Sequence, residues 1–138
     1  MGSMALKVTA AFFDSQDMKY SITDDGKAII TGFGLQNLES VKITIIFDDN
    51  DRTVGLRAFS ILKIPDSKVN NMFAVVNALN QKYRWIKFII DEEDNTLTAA
   101  DDAVVQLDSC GDEVMELCLR FASIVDEAYP EIMASIFG

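Results

Sequence analysis

Histidine is absent from this 138-residue chain, and its absence limits the chemistry available. Histidine is the commonest general base in enzymes and the commonest metal ligand. Serine and cysteine nucleophiles usually need a neighbouring histidine to activate them. The glycines, Gly32 and Gly34 among them, form neither a dinucleotide-binding motif nor a phosphate-binding loop. We therefore expect no enzymatic activity, no catalytic residues, no metal site and no cofactor.

Cysteine is scarce as well, since only Cys110 and Cys118 occur. They lie in a segment with helical spacing, where their separation corresponds to a rise of about 12 Å. A disulfide needs Cα atoms closer than about 7 Å. Two free thiols are typical of a reducing compartment, so the sequence predicts a cytoplasmic protein. No segment approaches the roughly 20 apolar residues of a membrane-spanning helix.

Positive charge is in deficit. The chain has 12 Lys and Arg against 22 Asp and Glu, which gives a formal net charge of −10. Such a charge repels phosphate groups, so we expect neither nucleic acid nor a membrane surface as a partner. Hydrophobic residues make up 49% of the chain, which is enough for an ordered core. We interpret residues 1–3 as a cloning remnant and residues 4–138 as a single domain.

Two acidic clusters, at 48–51 and 91–95, raise the question of a calcium site. An EF-hand loop requires Gly at its sixth position and Glu at its twelfth. Loops that begin at Asp49 or Asp91 have neither residue at those positions. The segments around both clusters alternate like strands, whereas an EF-hand is flanked by helices. We therefore interpret the clusters as solvated hairpin turns.

The hydrophobic pattern changes its period along the chain and predicts an α+β fold with an antiparallel sheet. Apolar residues recur every three or four positions in helices and every second position in strands. The predicted order is helix, three strands, helix, two strands and helix. Helices are predicted at 5–17, 66–82 and 111–128, and strands at 28–33, 41–48, 53–62, 85–91 and 96–105.

Three local features refine this prediction. Residues 20–23 alternate only briefly, and no strand is assigned to them. Asn80 is a weak helix former near the end of the middle helix, so we expect it to cap that helix or tie it to the next strand. Pro130 is expected to end the last long helix and to start a short one at 131–137.

The last long helix is apolar on two sides, which indicates burial on two sides. Leu117, Phe121 and Val125 form one stripe, and Leu119 and Ile124 lie away from it. These five residues are the candidate dimer or partner surface, because a large apolar patch in water usually marks an interface. Two-fold dimers are the commonest oligomers. We therefore expect a homodimer that buries part of this helix or the outer face of the sheet.

Four segments together resemble one protein family. They are 63–68 (KIPDSK), 76–80 (VNALN), 85–91 (WIKFIID) with the acidic turn after it, and 126–132 (DEAYPEI). This combination resembles the YbjN family of bacterial sensory transduction regulators, and the resemblance covers nearly all of residues 5–138. It implies a fold like that of type III secretion chaperones. It also implies a non-enzymatic regulatory or adaptor role with an unidentified protein partner, and no site residues carry over.

A second function is compatible with the same sequence. The chain could be a sensor that binds a small ligand in a pocket between the sheet and the helices, near Trp85. Trp85 stands at the start of a strand, where we interpret it as a core or rim anchor and not as a cofactor-stacking residue. A co-purifying protein would favour the first function, and one specific stabilising metabolite would favour the second.

Overall fold

The computed structural model describes residues 3–137, which form three helices and a six-stranded sheet. In chain order the elements are α1 (Met4–Ser15), β1 (Tyr20–Ile22), β2 (Ala28–Gly34), β3 (Ser40–Phe47), β4 (Thr53–Lys63), α2 (Val69–Lys82), β5 (Lys87–Asp91), β6 (Thr96–Val104) and α3 (Cys110–Phe137). Short 3₁₀ turns, Asp66–Lys68 and Leu107–Ser109, precede α2 and α3. The predicted α+β class with an antiparallel sheet is confirmed.

One residue of the predicted cloning remnant, Ser3, has a structural role. Residues 1 and 2 of the predicted cloning remnant lie outside the described residues. Ser3, the last residue of that segment, caps α1, because its Oγ accepts a hydrogen bond from the Leu6 N–H at 3.1 Å.

All neighbouring strands in the sheet are antiparallel, and their order is β1-β2-β3-β4-β6-β5. Each strand lies beside its predecessor up to β4. The chain then crosses through α2 to β5 at the far edge and returns through β6, which lies between β5 and β4. The two edge strands of the sheet are therefore β1 and β5.

The helices cover one face of this sheet. Along β3, Val41, Ile43 and Ile45 are buried, and the intervening Lys42 and Thr44 point to the other face. On the covered face, α3 packs against both α1 and α2, and its buried residues join those of the strands in one core. This packing explains the apolar pattern on two sides of α3. Within residues 3–137, no helix is both long and apolar enough to span a membrane.

The structure has four strands before α2, where the sequence predicts three. The additional strand, β1, pairs with β2 through three residues only, which is too short for alternation to identify. Contacts outside the strand hold it in place. The Thr31 hydroxyl donates to the Lys19 carbonyl at 2.9 Å, and the Tyr20 ring meets the Phe13 ring edge-on, with centroids 5.8 Å apart.

The predicted break at Pro130 is wrong, because α3 continues through it to Phe137. Proline has no N–H, so the Asp126 carbonyl one turn earlier loses its helical donor. The Asn37 side chain supplies a substitute, since its Nδ2 donates to that carbonyl at 3.0 Å. The Asp126 carboxylate in turn accepts hydrogen bonds from the Asn37 and Leu38 N–H groups, at 2.7 and 3.2 Å. The β2–β3 loop thus compensates for the proline.

Both cysteines lie in α3 as buried, free thiols, as the sequence predicts. Cys110 Sγ lies 3.3 Å from the Thr9 hydroxyl of α1. Burial raises the pKa of Cys118 to about 12. Because the thiolate is the reactive form, neither thiol is placed or ionised as a nucleophile.

Gly111 allows α1 and α3 to approach closely. A Cβ built at this position would lie 2.4 Å from Cβ of Phe12, which is far inside van der Waals contact. A side chain at 111 would therefore push the two helices apart.

We predict that Gly111→Ala lowers the free energy of unfolding by about 1–3 kcal/mol, the usual cost of overpacking a core. Gly34→Ala is the matched control, because a Cβ there meets no heavy atom within 4 Å. That variant should stay within about 1 kcal/mol of the wild type. Urea unfolding of the three proteins measures both effects. Equal stability of the two variants would contradict the close helix contact.

Candidate protein-interaction surface

The sheet face opposite the helices, which we call the open face, is uncovered and carries exposed apolar side chains. Phe59 on β4, Ile89 on β5 and Val104 on β6 are 59%, 48% and 79% exposed. Single exposed apolar residues are normal on protein surfaces. Several on one uncovered face make that face a candidate interaction surface.

Phe59 and Ile89 lie on the two strands that flank β6. Ile89 pairs directly with Thr98 of β6. On the other side of β6, Ala58 pairs with Ala99, and the register then shifts until Leu62 pairs with Leu97, so Phe59 lies in the irregular stretch that follows Ala58. The open face thus carries exposed apolar side chains on both strands beside β6.

The structure separates the five residues predicted as a partner surface on α3. Leu117, Phe121 and Val125 are buried in the monomer's own core. Ile124 is half-buried against that core, and Leu119 is 54% exposed. The second apolar side of α3 packs on α1 and α2 of the same chain. Three of the five residues are therefore inaccessible in the folded chain, whereas the homodimer itself stays a prediction.

One side of β6 lacks a neighbouring strand where β5 ends. Pairing between β5 and β6 stops at Lys87 and Ala100, whereas β6 continues beside β4 to Val104. Within residues 3–137, no strand pairs with the outer side of residues 101–104, which we call the β6 edge.

The hydrogen-bonding direction of β6 shows which groups face this gap. The Val105 N–H donates to the Arg52 carbonyl at 2.8 Å, toward β4. Backbone groups alternate sides along an antiparallel strand. Asp102 and Val104 therefore turn their N–H and C=O groups away from β4 and toward the gap. Such groups form a bare sheet edge, which proteins usually cover or shorten.

The outer side of β5 is covered, in contrast. Asn80 Nδ2 donates to the Phe88 carbonyl at 3.1 Å, and the Phe88 N–H donates to Asn80 Oδ1 at 2.8 Å. The side-chain amide thus takes the place of a peptide group in a missing neighbour strand. The predicted role of Asn80, which is to tie the middle helix to the next strand, is confirmed.

A cation–π pair and a buried carboxylate lie beside the β6 edge. The Arg120 guanidinium carbon is 4.7 Å from the centre of the Trp85 ring. Asp101, 7% exposed, points to the helix side because its partner Leu56 does. Asp101 Oδ2 and Arg120 Nε are buried without a hydrogen-bond partner among the described residues. Burial raises the pKa of Asp101, and the positive charge of Arg120 opposes this rise without cancelling it.

On the open face, Arg57 forms an ion pair with Asp102, with 2.8 Å between Nη1 and Oδ1. A Cβ at Gly55 would lie 2.9 Å from the same carboxylate oxygen, so a larger residue would displace this pair. The pair lines a depression of about 490 Å³ together with Thr53 and Val104. Asp102 is therefore in an ion pair, whereas Oδ2 of its neighbour Asp101 has no hydrogen-bond partner among the described residues.

The acidic turns use their carboxylates locally. Asp48 accepts from the Thr53 hydroxyl, and Asp94 accepts from the Thr96 hydroxyl, at 2.5 and 2.7 Å. Asp51 accepts from the Ala5 N–H at 2.9 Å and so caps the start of α1. Across residues 3–137, no three histidine, cysteine, aspartate or glutamate side chains are grouped to hold a metal ion.

The space predicted for a small ligand near Trp85 is occupied by the core. Ile86 and Phe88, which follow Trp85, are fully buried between the sheet and the helices. Trp85 itself is half-exposed and lines a depression of about 260 Å³ with Ile89 and Asp102. Small-molecule sites usually measure about 300–1,000 Å³ and enclose their ligand. Beside Trp85, the geometry therefore favours a contact surface over an enclosed pocket.

Residues 6–134 match the family model YbjN, described as "Putative bacterial sensory transduction regulator". The chain belongs to the YbjN family. That description assigns a regulatory role to the family.

The crystal structure of YbjN from E. coli, described as a putative transcription regulator, has a TM-score of 0.64 with this chain. The match covers 91% of this chain and 92% of that one, at 19% sequence identity. At this identity the likeness shows that the YbjN fold is shared, and no more. No curated protein matches the sequence.

Sequence reasoning overlooked Asp101 and Arg120 in this YbjN-family chain. Asp101 follows Leu97 and Ala99 at the inward-facing positions of β6, so its carboxylate interrupts an apolar alternation. That interruption was the available signal. Arg120 gave none, because its contact with Trp85 joins segments that are distant in sequence.

We predict that Asn80→Ala lowers the free energy of unfolding by about 1–3 kcal/mol relative to Asn77→Ala, since it leaves the Phe88 peptide groups unpaired. Asn77 is exposed on the same helix. The gain in helix propensity is therefore similar in both variants and cancels in the comparison. Urea unfolding checks the difference, and equal stabilities would show that the Asn80 bridge contributes nothing.

We predict that Asp101→Asn raises the melting temperature near pH 7. A carboxyl whose pKa is raised in the folded state destabilises that state while it is ionised. The wild type should gain stability as the pH falls from the raised pKa of folded Asp101 toward the ordinary aspartate pKa of about 3.9. The difference in melting temperature between variant and wild type should therefore vanish at the low end of this range.

Asp102→Asn serves as the control for this pH effect, because it removes an exposed ion pair that contributes about 0–1 kcal/mol. Calorimetry across the acidic range distinguishes the two variants. An Asp101→Asn protein that is less stable than wild type near pH 7 would show that Arg120 compensates the buried charge.

Proposed function

We propose that this chain is a non-enzymatic regulator that acts by binding protein, and that it forms a homodimer through the open face. The regulatory role follows from membership of the YbjN family. The observation that carries the proposal is the uncovered sheet face, with exposed Phe59 and Ile89 on the two strands that flank β6. A second copy that packs on this face would remove these side chains from water.

Several observations support the absence of catalysis in this proposal. The chain has no histidine, and both cysteines are buried. The raised pKa of Cys118 keeps its thiol protonated at neutral pH. The depression beside Trp85 is small, and it lies at the sheet surface. These features suit a contact surface better than a reaction site.

The proposed role is that of an adaptor resembling the type III secretion chaperones, and the proposed location is the cytoplasm. A sheet with helices on one side presents a broad face to a protein, which suits such an adaptor. Two free thiols suit a reducing compartment. The net charge of −10 argues against direct contact with DNA, so regulation would proceed through a protein partner.

Charge influences the proposed dimer in a measurable way. Two copies each carry −10, and this repulsion opposes association. Salt screens such repulsion over about 8–10 Å at physiological concentrations. Raising the salt concentration should therefore tighten the dimer.

Light scattering behind a sizing column tests the proposal. We expect the wild type to show about twice the monomer mass of 15.3 kDa, with more dimer at higher salt. The double variant Phe59→Glu, Ile89→Glu should be monomeric, because both charges would be buried in the interface. Leu119→Glu, at the exposed position on α3, should remain dimeric and serves as the matched control.

The remaining outcomes contradict the proposal in different ways. A wild type near 15.3 kDa at every salt concentration would remove the homodimer. Dissociation by Leu119→Glu but not by the double variant would move the interface to α3. A thermal-shift screen in which one metabolite stabilises the monomer specifically would favour the ligand-sensor alternative.

A further inference from the structure

We propose that the β6 edge binds an extended segment of a partner protein that carries basic side chains, which adds as a strand beside β6 where β5 ends. This inference rests on the protein-binding function proposed above and assigns that function a site. Its first support is the backbone. Asp102 and Val104 turn their N–H and C=O groups to a gap that no strand fills within residues 3–137.

Side-chain space is available on both sides of this edge. A depression of about 190 Å³ on the helix side is lined by Val104, Leu117 and Arg120, among others. On the other side lies the depression of about 260 Å³ beside Trp85 and Ile89. Successive side chains of an extended peptide point to opposite faces. An added strand would therefore place alternate residues in the two depressions.

The charges on the helix side select a basic residue there. Glu116 and Glu113 of α3 line that depression, and Glu113 also accepts hydrogen bonds from the Gln106 N–H and the Ser109 hydroxyl. Arg120 is the cation that lines it with them, and its guanidinium stacks on Trp85. Asp101 lines the neighbouring depression beside Trp85, and its buried Oδ2 has no hydrogen-bond donor among residues 3–137. A lysine or arginine of the partner would supply that donor and offset the excess negative charge.

A second copy of this chain does not fit the same edge. Antiparallel self-pairing would bring Asp101 and Asp102 of both copies close together. Like charges opposite one another destabilise a pair of strands. Each copy also carries a net charge of −10. The β6 edge is therefore a site for a different, basic chain, and the homodimer proposed above uses the open face.

The probe is a short synthetic peptide in which lysine and valine alternate. Trp85 is the only tryptophan and lies beside the edge, so its fluorescence reports binding. We expect this peptide to bind at least about tenfold more tightly than its glutamate–valine counterpart. We expect the same loss when alternate backbone nitrogens of the lysine peptide are methylated, because methylation keeps the charge and removes the strand hydrogen bonds.

A pair of variants tests the edge on the protein side. Val104→Pro removes the N–H that faces the gap and leaves the pairing with β4, which does not use it. It should weaken binding about tenfold or more. Val104→Thr changes the same exposed side chain but keeps the N–H, and it should bind like the wild type. Melting curves confirm that both variants are folded, and the methylated peptide provides the same test if Val104→Pro is not.

Two results would overturn the edge site. Equal affinity for the lysine peptide with and without backbone methylation would mean that charge alone attracts it. Absence of any fluorescence change at millimolar peptide would exclude the site. The single variant Phe59→Glu, which disrupts the proposed dimer at a position outside both depressions, separates this inference from the dimer. If it binds the peptide, the edge does not depend on dimerisation, and if the wild type is dimeric but binds nothing, only the edge is wrong.

Discussion

The packing of α3 against the inner face of the sheet is the interaction on which the other features depend. α3 is in contact with both α1 and α2, so most of its wide apolar surface is buried on one side of the sheet. No further helix is present among the described residues to cover the opposite face. The open face is therefore a direct result of all three helices lying on the same face of the sheet.

The long α3 also requires help from distant parts of the chain. Gly111 gives room for Phe12 near its start, and the Asn37 side chain replaces the donor that Pro130 lacks near its end. Asp126 accepts hydrogen bonds from three successive N–H groups of the β2–β3 loop. The helix is thereby joined to the sheet at one end and to α1 at the other.

The parts of the fold that the sequence predicts correctly are those that depend on neighbours along the chain. The alternation of β3 identifies both faces of the sheet, and the position of Asn80 identifies a tie to the next strand. The continuation of α3 through Pro130 depends on the hydrogen bond from Asn37 to the Asp126 carbonyl, two residues that are 89 positions apart in the sequence, so local spacing predicts the opposite. Strand β1 is too short to show a period.

The sequence likewise predicts the candidate surface only in part. Periodicity correctly marks α3 as apolar on two sides, but it does not say whether another helix or another molecule covers the second side. Leu117, Phe121 and Val125 are consequently buried in the monomer, and exposed residues on the strands take their place. The open face becomes visible only when the strand order and the helix positions are known together.

The edges of the sheet show how selectively this chain protects its backbone. β1 is three residues long, and the outer side of β5 is covered at Phe88 by Asn80. Short edges and covered edges prevent unwanted strand pairing. The β6 edge has neither protection, although its two carboxylates repel acidic chains. An edge that is bare but charged admits a basic partner and discourages a second copy of itself.

Departures from ordinary folding rules concentrate at this corner of the molecule. Among the described residues, three side chains have a buried polar atom without a partner: Tyr83, Asp101 and Arg120. Asp101 and Arg120 act on each other electrostatically, and Tyr83 precedes the half-exposed Trp85 by two positions. Local rules are most often broken where function requires it. A basic partner strand that donates to Asp101 would supply the hydrogen bond that its buried carboxylate lacks, and it would also cover the bare β6 edge. One partner would therefore explain both the unpaired carboxylate and the uncovered backbone.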